Sequence, residues 1–166
     1  MMFPLKPLSR EAVDAALAKA ERYRLLNEPG EAESICRDVL QIDPDNQHAR
    51  IALILTLTDQ FEPMPGAYRE AVDLATGLRD SYERAYYKGI VSERRAKAQL
   101  ARGGPGAGIG TFEWLMEAMH SFEQAEAIRP PGNDDALLRW NACARLLNSH
   151  PELRASTEDR VIEMLE

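Results

Sequence analysis

Cysteine is scarce in this 166-residue chain, and the two present, Cys36 and Cys143, stand far apart. Neither belongs to a CxxC pair and neither has histidines at ligand spacing, so a zinc site is excluded and no metal is expected. Each falls among apolar residues in a helical pattern, which predicts small buried core thiols. Such cysteine use fits a reducing compartment. Long hydrophobic runs are missing as well. The longest, around residues 51–55 and interrupted by Thr56 and Thr58, is too short to cross a bilayer. The opening Met-Met-Phe-Pro-Leu-Lys-Pro-Leu has no apolar stretch of the kind that marks a secretion signal. A cytoplasmic protein without membrane contact is the simplest expectation.

Positive charge is also in deficit. Twenty Lys and Arg against 27 Asp and Glu leave a formal net charge of −7. A nucleic-acid partner is therefore not expected, because the phosphate backbone calls for a net basic face. The motifs HExxH, GxSxG and the phosphate loop are all absent. His48, His120 and His150 are scattered near helix ends or inside amphipathic segments. The segment Gly103–Gly110 lacks the following Lys-Ser/Thr of a phosphate cradle, and no strand precedes it. No catalytic constellation is visible, so neither an enzyme activity nor a cofactor is expected.

What the chain does contain is helix-forming sequence. Aromatics make up 7% of residues, Ala, Leu, Glu and Arg recur throughout, and alternating strand runs are missing. An all-α fold in a single domain, residues 1–166, follows. The punctuation places the helices. Ser9 is a candidate cap for a helix from Arg10 to about Leu26, and the Asn27–Gly30 turn precedes a second helix over about Glu31 to Gln41. Pro44 ends that helix. A third covers about Gln47 to Asp59, a fourth about Pro65 to Leu78, and a fifth about Ser81 to Arg102. Gly103–Gly110 reads as a flexible surface loop. A sixth helix starts after Thr111 as N-cap and stops before Pro130, and a seventh runs from about Asp134 to Asn148. A short eighth, capped at Ser156 or Thr157, closes the chain. Trp114 and Trp140 lie at core spacing within their helices.

A spacing of small, large, small and proline occurs twice. Ala118, Phe122, Ala125 and Pro130 are separated by intervals of four, three and five residues. Ala32, Cys36, Val39 and Pro44 read almost the same way. Ala20 and Tyr23 precede this second set, and Ala49, Leu53 and Leu57 follow Pro44 in register. Ala85, Tyr86, Gly89 and Ile90 begin a third, distorted unit, and Ala136, Leu137, Trp140 and Ala144 a fourth. These residues resemble tetratricopeptide repeats, whose unit is a helix pair of about 34 residues. The likeness covers about Ala12 to Leu147. It implies a right-handed α-solenoid of antiparallel helix pairs, three to four repeats and a C-terminal capping helix. The same amphipathic patterns also permit a non-repeating helical bundle.

The resemblance implies a function as well. In that family the first helix of each pair lines a concave groove that holds a peptide or helix of a partner. The layout brings Leu17, Glu21 and Arg24, then Ile51, Leu55, Thr58 and Asp59, then Arg84, Tyr87, Lys88, Val91, Arg94 and Arg95 to that groove. The candidate partner-binding residues are Arg84, Tyr87, Lys88, Val91, Arg94, Arg95, Leu55 and Arg24. Arg84 and Lys88 lie four residues apart, as do Val91 and Arg95, and a basic, aromatic stripe suits an acidic or C-terminal peptide. The pattern equally describes a solvated face with Glu83 and Glu93 as partners. Asp14, Ala18, His48 and Ala52 depart from the family's two-carboxylate clamp, which argues against a chaperone-tail receptor. The expected function is a protein-binding adaptor, monomeric or homodimeric. The alternatives are a self-associating structural subunit and a dedicated secretion chaperone.

Overall fold

The computed structural model describes residues 1–154, and no strand occurs among them. The predicted helix capped at Ser156 or Thr157 lies outside the described residues. A 3-10 turn, Arg10–Ala12, leads into α1 (Val13–Leu25). There follow α2 (Pro29–Ile42), α3 (Gln47–Thr58), α4 (Ala67–Thr76), α5 (Ser81–Arg102), α6 (Ala107–Ala127) and α7 (Asp135–Ser149). No described helix is long and apolar enough to cross a membrane.

Local chemistry accounts for several of the ends. Pro29 opens α2 at the position where its missing N–H costs nothing. The Asn46 side chain accepts from the Ala49 amide at 2.9 Å, and the Asp80 side chain accepts from the Glu83 amide at 2.9 Å, so α3 and α5 both start on capped turns. Two expected caps do not form. The Ser9 side chain makes no cap bond; its carbonyl instead accepts from the Ala12 amide at 3.1 Å. Thr111 is buried inside α6, and its hydroxyl has no hydrogen-bond partner.

The glycine-rich segment is shorter as a loop than its composition predicts. Only residues 103–106 are loop, and Ala107 to Gly110 form the first turn of α6. Gly103 and Gly106 have φ of 68° and 76°, left-handed backbone that a glycine adopts without strain. Packing explains why α6 reaches back so far. A Cβ at Gly110 would lie 2.3 Å from the Gln99 side chain, and one at Gly89 would lie 2.5 Å from the Phe122 ring. These two glycines let α5 and α6 approach closely along their length, running antiparallel, in the most extensive helix contact of the chain.

Every helix packs on the next in sequence, and α3 also touches both α1 and α5. Two main clusters of apolar side chains result. The first joins Ala20, Ala32, Cys36, Leu53, Leu57, Ala71 and Ala75 with Val91 of α5. The second joins Tyr82, Ile90 and Ala96 of α5 with Leu115, Phe122, Cys143 and Leu147. A smaller cluster, Leu17, Val39 and Ala49, closes the amino-terminal end. Both cysteines are core thiols, and burial pushes Cys36 up to about 11 and Cys143 up to about 12. The fully buried alanines at 20, 32, 49, 71, 118, 125 and 136 fall where helices cross. There a larger side chain would meet the neighbouring helix.

Candidate functional site

Helix α5 is the centre of the chemistry, because α3, α4 and α6 all pack on it. Its side toward α1 and α3 carries an ion-paired cluster. Arg24 Nε of α1 donates to Asp59 Oδ2 at 2.7 Å, and Arg94 of α5 donates to Asp59 Oδ1 at 2.8 Å. One carboxylate at the end of α3 thus holds a guanidinium from each flanking helix, with charge-assisted bonds on both oxygens. An open cleft of about 250 Å³ lies beside it, lined by Thr58, Asp59, Glu62, Arg94, Lys97 and Ala98.

One helical face further round, aromatic side chains line up. Tyr82 stacks on Tyr86 with ring centroids 5.8 Å apart, and Tyr86 meets Tyr87 edge-on at 5.0 Å. Burial pushes the phenols of Tyr86 and Tyr87 up to about 12. Below them Glu93 is 0% exposed, yet it is neutralised from the surface. Arg139 of α7 binds both its oxygens, and Lys97 Nζ lies 3.0 Å from one of them. Glu93 is therefore a buried ionic tie between α5 and α7, not a partner on a solvated face. Its desolvation is offset by two cations.

The opposite side of α5 is built differently. The Arg95 guanidinium lies 3.7 Å from the centroid of Tyr68 of α4 and 4.0 Å from that of Trp114 of α6. Those rings meet edge-on at 5.5 Å. Around them is a cleft of about 280 Å³, closed below by Gln99, Arg102 and the loop between α5 and α6. Arg102 is occupied, donating to the carbonyls of Phe61 and Glu62 at 3.2 and 2.8 Å.

The residues expected to share one stripe are thus divided among several places. Arg24 and Arg94 meet on Asp59. Tyr87 and Leu55 are part-buried at the edge of the apolar clusters. Arg84 donates to the carbonyls of Leu78 and Arg79, both at 2.7 Å, and so closes the α4–α5 connection. Val91 is 1% exposed and belongs to the core, where a partner does not reach it. Lys88 is exposed, and Arg95 faces α4 and α6. Leu17 and Thr58, also placed in the groove by the resemblance, are buried. Sequence reasoning missed Tyr68, Gln99 and Arg102 and read Trp114 as core, although its ring borders the cleft. One signal was present: Arg95, Gln99 and Arg102 recur at i, i+4 and i+7, a polar line along one helix face. Tyr68 and Trp114 come from other helices, and no local pattern announces them.

Among the described residues no group of three or more His, Cys, Asp or Glu could hold a metal ion. No protein-family model, no curated protein and no solved structure matches the chain.

Proposed function

We propose that this chain is a protein-interaction scaffold of tetratricopeptide-like helix pairs, binding a peptide or helix of a partner along the face made by α1, α3 and α5. The observation that carries this reading is the lateral line-up of those three helices, joined by Arg24, Asp59 and Arg94. Alternate helices touch in this way when helix pairs stack side by side. The same face offers Arg94 and Lys97 beside its open cleft, basic groups that suit an acidic partner. In this reading the protein is cytoplasmic, and its role is binding, without catalysis.

The test is affinity capture from the native host with the wild-type chain and with the Arg94→Glu, Lys97→Glu double variant. A partner retained by the first and lost by the second, at a temperature where circular dichroism shows both folded, supports the reading. A set of partners retained equally by both overturns it for this face. Self-association is the second reading. It is favoured by Leu25 and Leu26, 88% and 61% exposed at the end of α1, adjacent apolar side chains left uncovered by the described residues. Light scattering on the purified chain separates the two: a dimer that Leu25→Lys dissociates supports self-association.

A further inference from the structure

We propose that the cleft between α4, α5 and α6 is a binding site for a small organic acid, with Arg95 as the group that receives its carboxylate. This inference concerns the side of α5 away from the face described above and stands independently of it.

Charge is the first argument. The chain carries a net charge of −7, yet the residues lining this cleft include two arginines and no carboxylate. Among the described residues Arg95 makes no ion pair and no hydrogen bond; its only recorded partners are the rings of Tyr68 and Trp114. The other arginines of α5 are spent: Arg84 and Arg102 on carbonyls, Arg94 on Asp59. Of these four, Arg95 alone has no polar partner among the described residues.

Geometry is the second. A guanidinium is weakly hydrated on its faces and presents its N–H groups at the edge. Tyr68 and Trp114 hold the guanidinium from two adjacent sides, their centroids 5.5 Å apart, and so fix the side chain before a ligand arrives while its N–H groups stay without an acceptor. The entropy of ordering a long arginine is thus met in advance. Gln99, one turn further along α5, makes no side-chain hydrogen bond among the described residues and adds an amide donor on the same cleft wall.

Size and polarity then narrow the ligand. Phe61, Pro65, Ala98, Pro105 and Ala107 supply an apolar lining. The volume, about 280 Å³, falls just below the range for drug-sized ligand pockets, roughly 300–1,000 Å³, and so admits only a small molecule. Arg102 keeps its charge but its guanidinium is tied to the carbonyls of Phe61 and Glu62, so Arg95 is the arginine left to bond an anion directly, with Arg102 adding only to the positive field of the cleft. A monoanion with a compact, flat apolar body satisfies these conditions, and a nucleotide or polyphosphate exceeds them in size and charge.

The experiment uses the full chain with Trp140→Phe, so that Trp114 alone reports by fluorescence. Benzoate is the probe, with benzamide as its neutral counterpart and inorganic phosphate as a bare anion. The expected result is saturable quenching by benzoate. Benzamide and phosphate should each bind about ten-fold more weakly or less, the loss of a charge-assisted bond or of apolar burial. Arg95→Met keeps an apolar side chain against the rings and should abolish benzoate binding. Arg95→Lys retains the cation but not the two-pronged edge, and should weaken binding about ten-fold even if the methionine variant fails to fold. No saturable response to benzoate overturns the proposal. So does equal binding of benzamide or phosphate, or benzoate binding unchanged in Arg95→Lys.

Discussion

Arg94 and Arg95 are neighbours in sequence and opposites in environment. Arg94 meets the Asp59 carboxylate at 2.8 Å, and that carboxylate also holds Arg24. Arg95, turned by about 100° around the same helix, finds two aromatic rings and no acid. The first arginine is spent on structure, joining three helices through one shared anion. The second is held in place with its hydrogen-bonding edge unused. In a chain with more acids than bases, a cation kept from every carboxylate marks the better place to look for a ligand, whereas abundance of charge along the helix does not distinguish the two sides.

Opening the α5–α6 seam, which sets the rotation of α5 and so the surroundings of both arginines, should have the largest effect. Phe122→Ala empties a fully buried position against Gly89 and Tyr86 and should cost about 3–5 kcal/mol in urea denaturation. Gly89→Ala should destabilise the wild type, since the added methyl meets the Phe122 ring, and should cost less in the Phe122→Ala background. Additive effects would show that the ring does not set the α5–α6 distance. Next comes alkaline pH. Tyr86 and Tyr87 titrate near 12 in the folded chain because burial disfavours their charged forms. Their contribution is complete below the ordinary phenol value of about 10 and is lost as pH rises through about 12. Stability should fall over that window by up to about 2 kcal/mol per ring, and less in Tyr86→Phe.

The two arginines themselves give a smaller and sharper contrast. Arg94→Met leaves Asp59 with one guanidinium where it had two, and should lower stability by about 1 kcal/mol. Arg95→Met strands no carboxylate and keeps an apolar chain against the rings, so it should cost less, the loss being chiefly cation–π attraction. Equal losses in thermal denaturation would erase the distinction between the two sides. Smallest is the rim pair Arg37–Glu70, which joins α2 to α4 at 2.8 Å. The hydrogen bond from Arg37 holds Glu70 below the ordinary carboxylate value of 4.5. Its contribution is present above about that pH and is lost as pH falls through the depressed value. Arg37→Gln should flatten this acid limb by less than about 1 kcal/mol, as befits an exposed pair.

Much of the fold was readable in advance. The bounds of α5 coincide with the expected ones, because Asp80 caps its start and a left-handed glycine ends it. Both cysteines lie in the core, as their apolar neighbours imply. Less of the site was readable. A stripe from Arg84 to Arg95 assumed that α5 turns one uniform face outward, and four neighbouring helices leave it none. Arg84 went to the end of α4, Val91 to the core and Arg95 to the rings. Glu93, expected among solvated charges, is the most buried acid described, because α7 covers it and supplies Arg139.

The sequence by itself determined which positions are small and those helix ends that a proline, a glycine or a capping side chain sets, such as the starts of α3 and α5 and the end of α5. Those properties rest on proline, glycine and side-chain caps acting within a turn or two of the backbone. The tertiary structure decided which arginine is neutralised and which is not. That outcome depends on how far α5 is rotated when Gly89 and Gly110 admit α6, and on which side chains from α3, α4 and α7 then come within a few ångströms. Contacts between residues 27 to 46 positions apart, as in the Arg50–Gly77 hydrogen bond or the Glu93–Arg139 pair, have no local signature. The free energy that selects them belongs to the packed whole.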